Sequence, residues 1–199
     1  MLKRLLLTLM IGFTLAFTAT SFAASSPTDD VRTSVDAVLA ILKNTQLDNE
    51  DKRAQITSIV KERFDFRAMS QRTLATNWKN TTDEEKDKFV ALFAQLIESS
   101  YVGKLESYND ERVDYPGEKV KGRKAVVETV IISASADIPV DYRLYHKDGQ
   151  WLVYDVIIEG VSLISNYRSS YQEIMKKEGF DGLLAKMQAK IDELSSASS

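Results

Sequence analysis

The chain of 199 residues contains no cysteine and a single histidine, His146. The first absence excludes disulfides, thiolate nucleophiles, zinc sites built on sulfur and a lipid-modified cysteine at a signal cleavage site. The second leaves nothing for a histidine metal cluster or for a triad that needs a second imidazole. No G-x-S-x-G elbow, P-loop, G-x-G-x-x-G or H-E-x-x-H occurs, so the common hydrolase, nucleotide and zinc machinery is missing. A long apolar run is also lacking: the stretch from Leu5 to Phe17 has about 13 residues against the roughly 20 that span a bilayer as a helix. Nor is there an excess of basic charge, with 26 Lys and Arg against 29 Asp and Glu. That balance argues against nucleic acid as a partner, where clustered positive charge is the usual footprint, and against standing adsorption to an anionic membrane.

What the amino end does have is the pattern of a secretory signal. Lys3 and Arg4 precede the short apolar run, and Ser21 and Ala23 stand where a signal peptidase reads, which predicts cleavage after Ala23. Residues 24–194 then form one domain, and 195–199 a disordered tail. Loss of Lys3 and Arg4 leaves 24 basic against 29 acidic residues, a net charge of about −5 on the exported chain. Export without cysteine points to a bacterial envelope.

Along the domain, helical spacing comes first. Asp29 and Asp30 open a helix whose apolar residues are Val31, Val35, Val38, Leu39 and Leu42. Asp48 caps a second helix with Ile56, Ile59, Val60 and Phe64 inward, and a short helix follows through Phe66, Met69 and Leu74. Thr82 and Glu85 have the spacing of a capping box, ahead of a long stripe from Phe89 to Tyr108. From Val113 the period changes to two. A short strand near 118–121, a second over 124–133 and a hairpin turning at Asp148-Gly149 predict an antiparallel meander of about four strands over 113–159. In the last strand Leu152, Tyr154, Val156 and Ile158 alternate with Trp151, Val153, Asp155 and Ile157. After Gly160 the pattern is helical again, with Gly179 separating two helices. Helices, then consecutive strands, then helices describe an α+β fold with helices packed on one face of a curved sheet.

Candidate chemistry is sparse. Glu128, Asp141 and Asp155 are the carboxylates that strands bring onto a shared face, and Asp141 or Asp155 with a tyrosine could act as an acid-base pair on a small hydrophobic substrate. Ordinary solvent-facing pairing with Arg143 or a lysine is the favoured account of them. The aromatic residues at inward positions fit an apolar pocket and a filled core alike.

Three segments carry a family resemblance: FDFRAMSQRTLATNW over 64–78, VDYRL over 140–144 and GQWLVYDVIIEGVSLISNYR over 149–168, with GFDGLLAKM over 179–187 in support. They resemble the MlaC, or toluene-tolerance auxiliary, family of periplasmic phospholipid-binding components of the Mla lipid-transport system. The resemblance implies an NTF2-like sheet with an apolar cavity between it and the helices. It also implies a carrier, with no cofactor and no catalytic residues, that shuttles phospholipid between an inner-membrane ABC transporter complex and an outer-membrane lipoprotein complex, maintaining outer-membrane lipid asymmetry. From face and motif position the expected lining is Phe64, Phe66, Trp78, Phe93, Leu96 and Tyr101 from the helices before the sheet. The strands add Val130, Ile132, Tyr142, Leu144, Tyr154, Val156 and Ile158, and the following segment adds Val161 and Ile164. Arg143, Lys147 and Arg168 are rim candidates. Two alternatives stay open at this point: an NTF2-like enzyme, and a periplasmic adaptor with a filled core.

Overall fold

The structure is a computed structural model and describes residues 25–105, 111–134 and 136–197. The signal segment over 1–23, and Tyr108 of the long stripe, lie outside the described residues. Four helices come first: α1 (Pro27–Lys43), α2 (Asn49–Arg63), α3 (Phe66–Leu74), which continues into a 3-10 turn (Ala75–Asn80), and α4 (Asp83–Leu105). Each start is fixed by a short polar side chain that satisfies an otherwise orphaned amide. Ser26 accepts from Asp29 N at 3.0 Å and Asp48 from Asp51 N at 2.8 Å. Asp65 accepts from Ala68 N at 2.8 Å, and Thr82 and Glu85 cap each other's amides at 3.2 and 2.6 Å.

The sheet follows as β1 (Arg112–Lys121), β2 (Lys124–Ile132), β3 (Asp137–Lys147), β4 (Gln150–Ile158) and β5 (Val161–Ser162). Its strand order is sequential and every pairing is antiparallel, a meander with one more, very short, strand than the sequence pattern shows. Asp148 and Gly149 take φ of 50° and 85°, the left-handed pair that closes a two-residue hairpin. The last helix, α5 (Leu163–Ala197), is broken at Gly179, where φ is 72° and ψ −169°. It continues past Ser195, where the sequence places a tail.

Two irregularities decide which side chains face inward. Arg143 pairs with Asp155 while Leu144 pairs with Val153, so Tyr154 is an extra residue and the strand's alternation reverses there. Val153 consequently shares a face with Val156 and Ile158, whereas strict alternation separates them and groups Tyr154 with Val156. In β2 the register Ala125↔Leu144 and Val127↔Tyr142 puts Ala125, Val127, Thr129 and Ile131 on the inner face. Val130 and Ile132, opposite Pro139 and Asp137, lie on the outer one. The run KAVVETVII is apolar at both parities, so period alone could not choose.

Burial produces two separate cores. One is helical, with Met69, Leu74, Phe89, Phe93, Leu96, Tyr171 and Leu183 packed between α3, α4 and α5. The other lies on the sheet under α1, with Val31, Val127, Leu144, Trp151 and Val153. Phe64 packs against both. Within the first, Tyr171 is 5 % exposed and packs edge-on against Phe89, yet its hydroxyl has no partner among the described residues. Burial pushes this phenol's pKa up. Tyr171→Phe removes an unsatisfied buried oxygen at constant ring packing and is expected to stabilise the fold by about 1 kcal/mol, read as a rise in the urea midpoint at unchanged slope.

Candidate functional site: an apolar cavity between the two cores

The two cores do not merge because a cavity of about 470 Å³ separates them. Helices α1 and α2 form its roof. Val31, Val35, Val38, Leu39 and Leu42 recur on one stripe of α1, and Ile56, Ile59 and Val60 do the same on α2. Val140 and Tyr142 from β3, Val153, Val156 and Ile158 from β4, and Ile131 from β2 make the floor. Ile97 and Tyr101 of α4 and Leu163 of α5 close one side, and burial pushes the Tyr101 phenol's pKa up. A volume of this size falls in the range of about 300–1,000 Å³ typical of small-molecule sites.

The segment 64–66 is the joint that holds the roof to the floor. Phe64 ends α2 with its side chain on the cavity, Asp65 N donates to Val153 O at 2.9 Å, and Phe66 turns toward the helical core. Asp65 also accepts from the Tyr145 hydroxyl, and burial together with that bond pushes the Tyr145 phenol up to about 12. The bulge at Tyr154 sits immediately beyond this joint, so the strand's change of face and the helix docking point coincide.

Five of the residues expected from sequence line the cavity: Phe64, Tyr101, Tyr142, Val156 and Ile158. The others lie elsewhere. Phe93, Leu96 and Ile164 belong to the filled helical core, and Phe66 and Trp78 pack against it. Leu144 is fully buried in the sheet core, and Val130 and Ile132 occupy the outer face. Tyr154, displaced by the bulge, stacks under the Arg72 guanidinium at 4.3 Å. Val161 is 61 % exposed. None of the three rim candidates borders the cavity among the described lining: Arg143 pairs with Asp155 at 3.2 Å, Lys147 lies 3.9 Å from Asp65, and Arg168 donates to Arg72 O at 2.8 Å. Conversely, the roof stripes of α1 and α2 were legible as inward faces, but spacing does not distinguish a side chain facing a hollow from one facing a filled core.

Charge in the lining is confined to two of the described residues, Arg63 and Glu98. Arg63 is held by Asp30 at 3.0 Å, by Ser34 Oγ at 3.0 Å and by Trp151 O at 3.1 Å. Neither strand carboxylate considered as a general base lines the hollow. Asp155 is occupied elsewhere, accepting from Ser162 Oγ at 2.7 Å and Ile164 N at 3.1 Å besides Arg143. The interior therefore offers an apolar volume rather than an arrangement of reactive groups, and a completely filled core does not describe it.

Comparison with known proteins gives a consistent result. The family model for MlaC protein matches residues 32–189. The intermembrane phospholipid transport system binding protein MlaC of Haemophilus influenzae is 26 % identical over 181 residues, covering 86 % of this chain and 85 % of that protein. The toluene tolerance protein ttg2D of Pseudomonas putida is 25 % identical over 187 residues, covering 90 % and 85 %. Among solved structures, the phospholipid-binding protein from Ralstonia solanacearum, determined in complex with a phospholipid, superposes with a TM-score of 0.78. It shares 24 % identity over 84 % of this chain and 97 % of that one.

Proposed function

Because this chain belongs to the MlaC protein family, we propose that it is a periplasmic phospholipid carrier that holds acyl chains in the cavity between its two cores. The observation that carries this reading is the hollow itself. Its wall is hydrocarbon apart from Arg63, Glu98 and a few hydroxyls, and it is partly open to water, so apolar surface stands solvated there at a cost of roughly 25 cal/mol per Å². Covering that surface favours an occupant, and the occupant must be apolar.

Diacyl phospholipid fits the requirement. Two acyl chains carry roughly 30 methylene groups, and at about 0.8 kcal/mol each their exposure to water costs on the order of 20 kcal/mol. Unassisted passage through an aqueous compartment is negligible on that account. A carrier needs only to match the apolar environment of a bilayer, so that loading and unloading are near neutral and docking partners set where lipid is released.

The predicted signal over 1–23 supports export to the periplasm, and membership of the family supports a reading in which the protein passes lipid between an inner-membrane ABC transporter complex and an outer-membrane lipoprotein complex, in the maintenance of outer-membrane lipid asymmetry. Transfer of a labelled phospholipid between donor and acceptor vesicles separated by a membrane permeable to the protein alone tests the carrier activity. Transfer should rise in proportion to protein concentration, and a rate equal to the protein-free background would contradict it.

A further inference from the structure

The two charged residues in the described cavity wall differ in how completely they are neutralised. Arg63 and its partner Asp30 are 17 % and 14 % exposed in their side chains, and Asp30 also accepts from Trp151 N at 3.1 Å. That end of the cavity is a closed, internally satisfied wall. Glu98 is 29 % exposed; its Oε1 accepts from Thr57 Oγ1 at 2.9 Å, while its Oε2 lies 3.7 Å from Lys61 Nζ, whose side chain is 58 % exposed. A separation of 3.7 Å gives attraction without a full hydrogen bond, and leaves both charges able to engage another group. Thr57 and Lys61 stand one turn apart on α2 and Glu98 faces them from α4. The seam between these helices is therefore where the wall changes from hydrocarbon to wet, charged surface. An amphiphile whose chains occupy the cavity places its polar end there, since burying it against hydrocarbon is strongly unfavourable.

Resting on the reading of the cavity as a phospholipid site, we propose that Glu98 and Lys61 form a head-group subsite selective for phospholipids that carry a primary amine beside the phosphate. The pair presents one negative and one positive charge side by side, the complement of a phosphoethanolamine zwitterion. The ammonium donates to Glu98 and the phosphate accepts from Lys61. A glycerol head group supplies the phosphate but sets no cation against Glu98, and a quaternary amine cannot donate the hydrogen bond. The preference is modest, roughly two- to fivefold, because partly exposed charge pairs are screened by water and salt. A weak preference also keeps unloading fast.

The test equilibrates the purified protein with vesicles containing equal amounts of ethanolamine and glycerol phospholipids of identical acyl chains, re-isolates it, and measures bound lipid by mass spectrometry. The wild type should carry the amine lipid in about two- to fivefold excess. Glu98→Gln should bring the ratio to about one, and Lys61→Gln, at an exposed position, should lower it as well. Wild-type protein that mirrors the vesicle composition, or a Glu98→Gln variant that keeps the excess, overturns the subsite while leaving the carrier intact. Protein that takes up neither lipid overturns the carrier reading, and the subsite with it.

Discussion

Val156→Trp is expected to purify folded and to carry less than about a tenth of the phospholipid bound by the wild type. Val156 is 7 % exposed and stands on the cavity floor between Val153 and Ile158. A ring added at this position grows into space that is already empty, so the overpacking that usually penalises a larger core residue, about 1–3 kcal/mol, is largely avoided. The volume removed is the volume the acyl chains need. Leu96→Trp provides the contrast, because Leu96 is 4 % exposed within the filled helical core. It should cost about 1–3 kcal/mol of stability while leaving the lipid content per folded molecule unchanged. Lipid extraction with quantitative mass spectrometry, paired with urea unfolding of both variants, separates the two outcomes. Full lipid content in Val156→Trp would place the acyl chains somewhere other than this hollow.

Asp155→Ala is expected to destabilise the fold by about 3 kcal/mol, the largest loss for a single side chain outside the apolar cores. The carboxylate is 6 % exposed and ties three elements together: Arg143 on β3, the Ser162 hydroxyl on β5 and the Ile164 amide at the start of α5. Alanine leaves a buried amide without an acceptor and loses charge-assisted bonds that are about twice as strong as neutral ones. Arg143, 44 % exposed, can return to water, which keeps the loss below that of a fully buried broken pair. Asparagine retains an acceptor for the amide and should recover about half of the loss. Urea denaturation measures both variants, and a loss below about 1 kcal/mol for alanine would mean that the α5 docking is secured by packing alone.

The same residue shows how far a sequence can be read. Asp155 stands out in an apolar strand, and its two meanings, general base or structural fastener, differ only in what surrounds it. Those surroundings come from β5 and α5, whose placement no local pattern specifies. Helix starts were readable because a cap is local: Asp48 and the Thr82–Glu85 pair act within three residues of themselves. The Asp148-Gly149 hairpin was readable for the same reason. The facing of β4 was not, because a bulge at Tyr154 is an event of pairing rather than of composition. That one extra residue moved Val153 onto the cavity face with Val156 and Ile158, and carried Tyr154 away from it. In β2, apolar residues at both parities left the choice between Val130 and Ile131 to the register. The roof was visible as two amphipathic stripes, yet whether Val38 or Ile59 meets another side chain or a hollow depends on the distance between α1, α2 and the sheet.

Native mass spectrometry of the protein, purified from cells without detergent, decides whether the hollow holds lipid. A folded protein whose mass exceeds the chain by that of intact diacyl phospholipid, with the added mass lost in Val156→Trp, is the expected result. A wild-type population that is folded, stable and free of bound lipid would mean that the hollow does not serve as a lipid site.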